Sequence, residues 1–560
     1  MKRIFTILSF SLFLTQSGFG QWTNDVGLNT VVSDFAGSEQ SVPHSVTTSD
    51  GLTYISWFDN SNGTYRFRMQ LLDAKGYKLW EPDGKIVSDK AQNTAIYRYD
   101  LKIDHQDNAI VAFQDERTGE LQIVAYKLDK SGNQLWGNDG ISLIDTTSSE
   151  GLGPAIGIID NDDVIIAWNA DDNTNKWIAF TKLSSNGIVQ WDSLHRVKDA
   201  TVTKKYSRPS IIAAKSVGFY MLYAEEGGGF GLPPSTMLTQ LYKPDGTAYW
   251  QIPMAVSSKK IPFFFFPEPV SDNNAGYYIA YNTSNPDIAS LNDVYVQRIT
   301  TTGVLFGADG VQACNSPTNS KSLSGSVYLE DKDQLWVLVR MQDANQSLSG
   351  VYVQAIKGNS TIVFSGNGKE LLPVDANFYI PIEIGNSNDG LVIIYTQSTV
   401  TNDLIKSVKV DYSGINVWNP KVVPLSVPTS SKFNITLGGF INNQAVIVWQ
   451  DSRIDYGIYA QNITSEGVTS VPNLNIPGIN VSIYPNPSSD PKLYFDLKDP
   501  MKLSISVNSI KGVLLSKQEI QLEAGLNSMP INNEKLVSGA YLINIISDKG
   551  KQTIKWVKNN

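Results

Sequence analysis

The chain has 560 residues, of which 41% are hydrophobic and 18% are charged, and this composition is typical of a globular protein. Its formal net charge of −9 argues against a nucleic-acid-binding surface. The single cysteine, Cys314, excludes an internal disulfide and a cysteine-ligated zinc site. The three histidines are scattered along the chain and argue against a histidine-rich metal centre, so we expect neither a metal nor a cofactor.

The first 20 residues predict a signal peptide for export. Lys2 and Arg3 form a short basic region, and residues 4–14 are almost all apolar but too few to span a bilayer. Gly18 and Gly20 are the small residues that signal peptidase requires, and they predict cleavage after Gly20. A buried N-terminal helix is the alternative. The rest of the chain contains no apolar run long enough to predict a membrane span.

Residues 21–470 repeat large residues at intervals of 54 to 59 residues, which predicts a repeat fold. A first column ends short apolar runs and comprises Trp57, Phe113, Trp168, Tyr223, Tyr281, Val339, Tyr395 and Trp449. A second column follows each of the first seven runs and comprises Trp80, Trp136, Trp191, Trp250, Phe306, Phe364 and Trp418. The two columns keep the same period independently, which strengthens the prediction.

Each repeat predicts four short strands, separated by turns rich in Gly, Asp and Asn. Four-stranded units of this length, repeated four to eight times, are typical of a β-propeller. The eighth repeat lacks a second-column residue at its end, but Trp22 lies 58 residues before Trp80. We therefore predict an all-β, eight-bladed β-propeller over residues 21–470, in which the N-terminal strand completes the last blade (a 3+1 closure). Two stacked sandwiches are the alternative.

The last hairpin of most repeats contains the pattern Asp-x-x-Gly-x-x-x-Trp, as in residues 73–80, 129–136 and 411–418. Gly suits the positive φ of such a turn, Asp can accept bonds from its backbone, and Trp can wedge between neighbouring blades. The pattern resembles the tryptophan-docking repeats of eight-bladed quinoprotein dehydrogenases and the Asp-box of sialidases. The resemblance implies a structural role and no activity.

Strand endings such as GVYVQ (350–354), DVYVQ (293–297) and YGIYAQ (456–461) resemble repeats in secreted Bacteroidetes proteins. Those repeats carry the patterns I-Y-A-Q and W-x-D-x-R, and here Gln-Asp-Ser-Arg453 precedes the third ending. The ligands of those proteins are mostly undefined, so the resemblance implies an extracellular repeat protein without naming a substrate.

A Pro- and Asn-rich linker over residues 471–479 separates a second predicted domain, residues 480–560, in which a small β-sandwich is expected. Its distinctive residues are Tyr484, Pro485, Asn486, Pro487, Gly512, Gly539 and Tyr541. With these residues the domain strongly resembles the type A sorting domain of type IX secretion. It implies export across a Bacteroidetes outer membrane, with the type IX secretion machinery as partner and the cell surface or the medium as destination. An immunoglobulin-like carbohydrate-binding module is the alternative.

The turns between second and third strands and the connections between blades form one end of a propeller, and this end is the usual binding surface. These segments vary most in length here, with insertions at residues 225–235 and 282–293. Five aromatic residues lie 16 or 17 positions before the first column and are predicted to ring the channel mouth and stack on sugars: Tyr97, Tyr206, Phe264, Tyr379 and Phe433. Packing between blades is the alternative for these rings.

The sequence favours a secreted or cell-surface propeller that binds a glycan or another surface macromolecule. No catalytic residue is predicted, because the adjacent carboxylates at 171–172 and 225–226 are typical of solvated turns and Cys314 of a small buried residue. The acidic turn at 160–163 lacks the spacing of an EF-hand calcium loop. Two alternatives remain, a glycoside hydrolase or lyase that uses loop carboxylates and a structural surface or adhesion protein.

Overall fold

A computed structural model describes residues 22, 25–117, 119–201, 203–228, 233–263, 265–284, 291–399, 402–467, 476, 478–509, 514–531, 536–547 and 550–559. The predicted signal peptide (1–20), Phe264, Gly512 and most of the linker 471–479 lie outside these residues. The described chain divides into two compact units, one within residues 19–470 and one within residues 471–560.

The described part of the first unit consists of antiparallel strands in eight sheets, numbered here in chain order. Sheet 1 contains β2 (Gln40–Thr47), β3 (Thr53–Asp59), β4 (Tyr65–Leu72) and β5 (Lys85–Gln92), and sheet 2 contains β6 (Asp100–Ile103), β7 (Ala109–Asp115), β8 (Gln122–Leu128) and β9 (Ile141–Leu143). Sheet 3 contains β10 (Glu150–Ile158), β11 (Val164–Asp171), β12 (Lys176–Leu183) and β13 (His195–Val197), and sheet 4 contains β14 (Tyr206–Ala213), β15 (Phe219–Glu225), β16 (Thr236–Tyr242) and β17 (Met254–Ala255).

Sheet 5 contains β18 (Pro269–Ser271), β19 (Tyr277–Ser284), β20 (Asn292–Thr300), β21 (Gly303–Val304) and β22 (Val311–Gln312), and sheet 6 contains β23 (Ser320–Leu329), β24 (Gln334–Gln342), β25 (Ser349–Lys357) and β26 (Lys369–Asp375). Sheet 7 contains β27 (Tyr379–Asn386), β28 (Leu391–Ser398), β29 (Asp403–Val410) and β30 (Val423–Ser426), and sheet 8 contains β31 (Lys432–Leu437), β32 (Gln444–Asp451), β33 (Gly457–Thr464) and β1 (Thr30–Ser33). Short 3-10 turns at Asp160–Asp162, Lys215–Val217 and Glu330–Lys332 join first to second strands.

The sheets form a closed ring, the arrangement of a β-propeller. The first strand of each sheet contacts the first strand of the next, from β2 and β6 in sheets 1 and 2 to β27 and β31 in sheets 7 and 8, and β31 contacts β2 in turn. All first-column residues lie in the second strands and are at most 1% exposed, so the core lies between neighbouring sheets. We call the end of the ring where the first strands begin the upper end, and the opposite end the lower end.

The N-terminal strand β1 supplies the outer strand of sheet 8. It pairs antiparallel with β33, with Thr30 opposite Ala460 and Val31 opposite Tyr459. The Asn29 side-chain amide donates to the Leu425 carbonyl oxygen in sheet 7 at 2.8 Å. The first and last parts of the ring are thus joined in one sheet, in which β1 covers the edge that β33 would otherwise expose.

The second-column tryptophans dock on the next sheet at the lower end. Trp136 is 7% exposed, and its indole Nε1 donates to the Ser185 carbonyl oxygen at 3.1 Å in the last hairpin of sheet 3. Gly187 of that hairpin has φ +81, and a Cβ there would lie 2.7 Å from the Trp136 ring. The Trp80, Trp250 and Trp418 indoles donate to carbonyl oxygens of the following sheets in the same way. These four tryptophans therefore link sheets 1, 2, 4 and 7 to the sheets that follow them.

The glutamines of the YVQ-type endings hold the second column from within the sheet. Gln354 is fully buried; its side-chain amide donates to the Phe364 carbonyl oxygen at 2.8 Å and accepts from the Phe364 backbone N–H at 3.1 Å. The Gln297 side-chain amide accepts from the Phe306 backbone N–H at 2.8 Å and donates to the Gly307 carbonyl oxygen at 2.9 Å. Burial leaves these amides little alternative to such partners, so the glutamine fixes where the aromatic residue leaves the strand.

The second unit contains two antiparallel sheets. The first comprises β34 (Ile479–Tyr484), β35 (Lys492–Leu497) and β38 (Gly525–Pro530), and the second comprises β36 (Met501–Ser509), β37 (Leu514–Leu522), β39 (Gly539–Ser547) and β40 (Gly550–Lys558). One cluster of buried residues draws on both sheets and includes Phe495 from the first and Ile543 and Trp556 from the second. This shared core holds the two sheets together.

Candidate functional site

Two of the aromatic residues predicted at the channel mouth pack inside their own sheets. Tyr206 begins β14 and meets Tyr223 edge-on, with ring centroids 5.5 Å apart. Tyr379 begins β27, is only 9% exposed, and meets Tyr395 edge-on at 5.8 Å. These geometries are those of core aromatic pairs. Tyr97 is half-buried in the segment before β6, and Phe264 lies outside the described residues.

Phe433 is the predicted aromatic residue that reaches the surface. It is 43% exposed near the start of β31, and Tyr456, in the turn between the second and third strands of sheet 8, is exposed to the same extent. Their ring centroids lie 6.2 Å apart, tilted by 45°. The two rings form an exposed aromatic pair at the upper end. Tyr456 was not predicted, because it comes close to Phe433 through the pairing of β31, β32 and β33.

The segment over residues 261–268, IPFFFFPE, carries contacts to two other sheets. The Arg208 guanidinium lies over the Phe263 ring, 4.4 Å from its centroid. Glu268 pairs with Arg98, which precedes the first strand of sheet 2, at 2.5 Å. Phe265 is 44% exposed, whereas Phe266 packs into the core cluster around Tyr277. Phe263, Phe265 and Phe266 therefore lie in different environments.

Arg208 occupies a bulge that recurs in the first strands. It has φ +58, and the equivalent first bulge residues Val42, Gly153 and Asn434 also have positive φ. The Asn169 side-chain oxygen of sheet 3 accepts a 2.6 Å bond from the Arg208 backbone N–H. Asn169 thus fixes the bulge that presents Arg208, although no sequence pattern singled it out.

Charged side chains continue into the channel below Arg98. Lys102, on β6, lies 3.5 Å from Asp100, and this carboxylate together with Glu268 raises the pKa of Lys102. His44, on β2, stacks on Tyr99 with ring centroids 4.1 Å apart, and burial lowers the pKa of His44 to about 4. The imidazole is therefore neutral at physiological pH.

Glu383, on the first strand of sheet 7, is the most perturbed carboxyl group of this region. Burial raises its pKa from 4.5 to about 8. It has no hydrogen bond or ion pair among the described residues, so no protein group offsets the cost of charging it. Glu383 is consequently protonated at neutral pH, and no sequence motif had marked it.

A depression of about 550 Å³ opens at the lower end of the channel, where the first strands end. Its lining is largely aliphatic and includes Val46, Ile103, Ile158, Ile211 and Leu437, with Lys102 as its charged member. Of the predicted aromatic residues that the structure describes, namely Tyr97, Tyr206, Tyr379 and Phe433, none lines it. The structure thus has features at both ends of the ring, whereas the sequence directed attention to the upper end alone.

The groups considered for catalysis are engaged in other contacts. Glu225 and Glu226 pair with Lys204 at 2.9 Å and Lys176 at 3.6 Å. Cys314 is buried, and burial raises the pKa of its thiol to about 12. Within the described ranges, no cluster of three or more His, Cys, Asp or Glu side chains is arranged to hold a metal ion.

The sorting motif builds a clamp in the second unit. The Asn486 amide donates to the Lys555 carbonyl oxygen and accepts from the Val557 backbone N–H, both at 2.9 Å. Pro485 and Pro487 flank it in cis peptide bonds. Asn486 therefore ties the loop after β34 to the C-terminal strand β40.

The other described motif residues divide between core and surface. Tyr541 is 6% exposed and packs on Trp556 with ring centroids 5.3 Å apart, and Gly539 begins the same strand, β39. Tyr484 is 69% exposed at the end of β34. Tyr541 thus serves the core of the unit, whereas residues 484–487 and Gly539 are exposed to solvent.

Residues 482–559 match a family model described as secretion system C-terminal sorting domain. The chain therefore carries a type IX sorting domain, which engages the type IX secretion machinery and directs export to the cell surface or the medium. A search of curated protein sequences finds no relative of this chain. The parts of the chain that the structure describes include no helix of the length and apolarity needed to cross a membrane.

Several solved structures are similar to this chain. A polysaccharide lyase of family PL25, an ulvan lyase, has a TM-score of 0.41 and 10% identity, covering 78% of this chain and 96% of its own. A protein of unknown function from Dyadobacter fermentans has 0.36 and 9%, covering 78% and 97%. The α-L-arabinofuranosidase Arb93A from Fusarium graminearum has 0.36 and 11%, covering 58% and 98%. Likeness at this level says nothing about the activity or ligand of this chain.

Proposed function

We propose that the protein is a secreted or cell-surface glycan-binding protein, in which the eight sheets are the blades of one propeller with 3+1 closure and the second unit is a β-sandwich that serves export. The exposed pair of Phe433 and Tyr456 is the observation that carries the binding function. Aromatic side chains that remain exposed at the end of a rigid, closed set of sheets offer a flat apolar face to a sugar. Their position on sheet 8 leaves them supported by β31, β32 and β33.

The polar groups of the same end supply the specificity that stacking lacks. Arg98 and Glu268 form an ion pair with both side chains partly exposed, at 39% and 62%, so each retains hydrogen-bonding capacity towards a ligand. Arg208 and Phe263 add a second aromatic and polar pair. A few polar groups among aromatic rings are typical of ligand sites. Tyr206 and Tyr379 are assigned to packing rather than to the ligand in this proposal.

A glycan array tests the proposal directly. The chain from Gln21 to Asn560 is applied to an array of bacterial, algal and plant glycans, in parallel with F433A and Y456A. The proposal expects one class of glycan to bind the unmodified chain and to lose at least about tenfold in affinity in either variant. Ile454, 71% exposed in the same turn region, provides the matched control I454A. Absence of binding to every glycan, or binding that neither ring affects, contradicts the proposal.

A further inference from the structure

Arginine residues in the first unit separate into two groups. Seven of the nine in its described part pair with a carboxylate: Arg66 and Arg68 with Asp59, Arg98 with Glu268, Arg117 with Asp115, Arg196 with Asp145, Arg298 with Asp272 and Arg453 with Asp451. Arg208 and Arg340 have no ion pair among the described residues. The ion pairs that hold the sheets together therefore do not account for these two guanidinium groups.

Arg340 is the clearer of the two. Its Nε and Nη2 atoms are buried and have no hydrogen-bond partner, and burial lowers the pKa of the guanidinium. The group lies over the Phe378 ring, 4.7 Å from its centroid. Phe378 has φ +49, a left-handed conformation that strains a bulky residue. The fold thus holds the Phe378 ring against a guanidinium in which two nitrogen atoms have no acceptor, an arrangement that costs free energy in the unliganded protein.

Arg208 repeats this arrangement in sheet 4. Its Nη1 atom is buried without a partner, and burial lowers the pKa of this guanidinium as well. It lies over Phe263, which belongs to the segment leading into sheet 5, as Phe378 leads into sheet 7. Both arginines are at the upper end, because Arg208 is near the start of a first strand and Arg340 near the end of a second strand.

We propose that Arg208 and Arg340 are subsites for carboxylate or sulfate groups of an anionic glycan, an inference that rests on the glycan-binding function proposed above. A planar guanidinium binds such groups through two parallel N–H donors, and the ring beneath it excludes water from one face. The guanidinium nitrogens that are not buried, Nε and Nη2 of Arg208 and Nη1 of Arg340, are the donors that such an anion can reach. The two arginines come from sheets separated by sheet 5, which suits a polymer that carries repeated charges.

Because of the overall charge of the first unit, binding of an anionic glycan depends on short-range contacts. Residues 21–476 contain 33 basic and 47 acidic side chains, a net charge of −14. Such a surface repels polyanions at long range, so their binding depends on short contacts with defined groups. Loss of a single one of these arginines should therefore be measurable.

The experiment measures the affinity of the chain from Gln21 to Asn560 for four soluble probes: polygalacturonate, dextran sulfate, unmodified dextran and polyglutamate. Variants R208M and R340M are compared with K243M and K357M, which remove exposed lysines at the lower end. We expect binding to one or both anionic glycans, weakened about tenfold by R208M and by R340M. The lysine variants should change the affinity less than twofold. The carboxylated and sulfated probes distinguish the two anion types.

Thermal unfolding gives a readout that a merely structural role would not produce. Because the Arg340 donors are unsatisfied, R340M should raise the melting temperature of the ligand-free chain, and the anionic glycan should stabilise the unmodified chain more than R340M. Lower melting temperatures for both arginine variants, without a change in glycan affinity, would overturn the inference.

The remaining outcomes separate this inference from the proposed function. Binding to neutral glycans that both arginine variants retain would overturn the anionic subsites and leave the function standing. Equal binding of polyglutamate would overturn the glycan specificity. Failure to bind any probe here, and any glycan on the array, would overturn both.

Discussion

The indole Nε1 of Trp22 donates a 2.9 Å hydrogen bond to the carbonyl oxygen of Ala74, although Trp22 leads into the outer strand of sheet 8 and Ala74 lies in the last hairpin of sheet 1. The Trp22 ring covers Gly76 of that hairpin, and its side chain is 3% exposed. This contact repeats between sheets 8 and 1 the docking that Trp136 makes between sheets 2 and 3. The N-terminal segment thus joins the ring with the same chemistry that joins its other members.

Replacing Trp22 with alanine should lower the free energy of unfolding by roughly 3–5 kcal/mol, as large-to-small substitutions of buried aromatic residues do. The loss combines the buried ring and the bond to Ala74. Chemical denaturation followed by intrinsic fluorescence and circular dichroism measures it. L28A is the matched control, because Leu28 belongs to the same segment and is 64% exposed. Equal, small effects of both substitutions on the free energy of unfolding would show that Trp22 does not stabilise the closed arrangement of the sheets.

The docking of Trp136 on Gly187 can be separated from backbone strain. Gly187 and Gly137 have φ +81 and φ +88, so alanine at either position adopts an unfavourable left-handed conformation. This conformation should lower the free energy of unfolding by a similar amount, about 1 kcal/mol, in G187A and G137A. A Cβ on Gly187 also meets Ile141 and Trp136 at 2.6 and 2.7 Å, whereas a Cβ on Gly137 meets nothing within 4 Å. G187A should therefore lower the melting temperature clearly more than G137A. Similar melting temperatures would contradict the docking.

Packing and binding roles of the upper-end aromatics predict opposite effects. Tyr379 is 9% exposed and packs on Tyr395, so Y379A should destabilise the chain by roughly 2–4 kcal/mol. Phe433 is 43% exposed, so F433A should cost about 1 kcal/mol or less while weakening glycan affinity. Denaturation and affinity measurements on both variants check this. A large stability loss in F433A would assign that ring to packing too.

Glu383 should make stability depend on pH. Its folded pKa of about 8 lies above the ordinary 4.5, so the folded chain keeps a proton that the unfolded chain releases between these values. Stability contributed by this group is therefore present below pH 4.5 and lost as the pH rises to about 8. E383Q should stabilise the chain by roughly 1–3 kcal/mol at pH 8 and little at pH 4. E81Q, at an exposed position, is the control, and identical pH profiles of E383Q and the unmodified chain would contradict the assignment.

The sequence predicts those parts of the structure that short, local patterns determine. The hairpin glycines with positive φ, the strand positions of the two columns and the wedge of Trp136 all follow from residue types at fixed spacing. The place of Trp22 could be predicted as well, because its distance from Trp80 matches the period of the second column. The match of residues 482–559 confirms the sorting domain that the YPNP motif predicted.

The candidate site depends on contacts that no spacing encodes. Tyr379 and Phe433 occupy the same position relative to the first column, yet Tyr379 is packed and Phe433 is exposed. The two side chains differ because neighbouring strands cover them to different extents. Arg340 meets Phe378 across two sheets, and the bulge that presents Arg208 is held by Asn169 of the preceding sheet. Such pairings require the register of neighbouring sheets, which an isolated sequence does not supply.

The measurement that tests the closed ring most directly is removal of β1. A chain that begins at Asp34 leaves β33 without its outer partner and removes the Trp22 contact, so it should aggregate or melt at a clearly lower temperature. Size-exclusion chromatography and thermal unfolding measure both effects. A synthetic peptide of residues 21–33, added in excess, should restore a monomer and raise the melting temperature. A shortened chain that stays monomeric, melts with the full chain and ignores the peptide would contradict closure by the N-terminal strand.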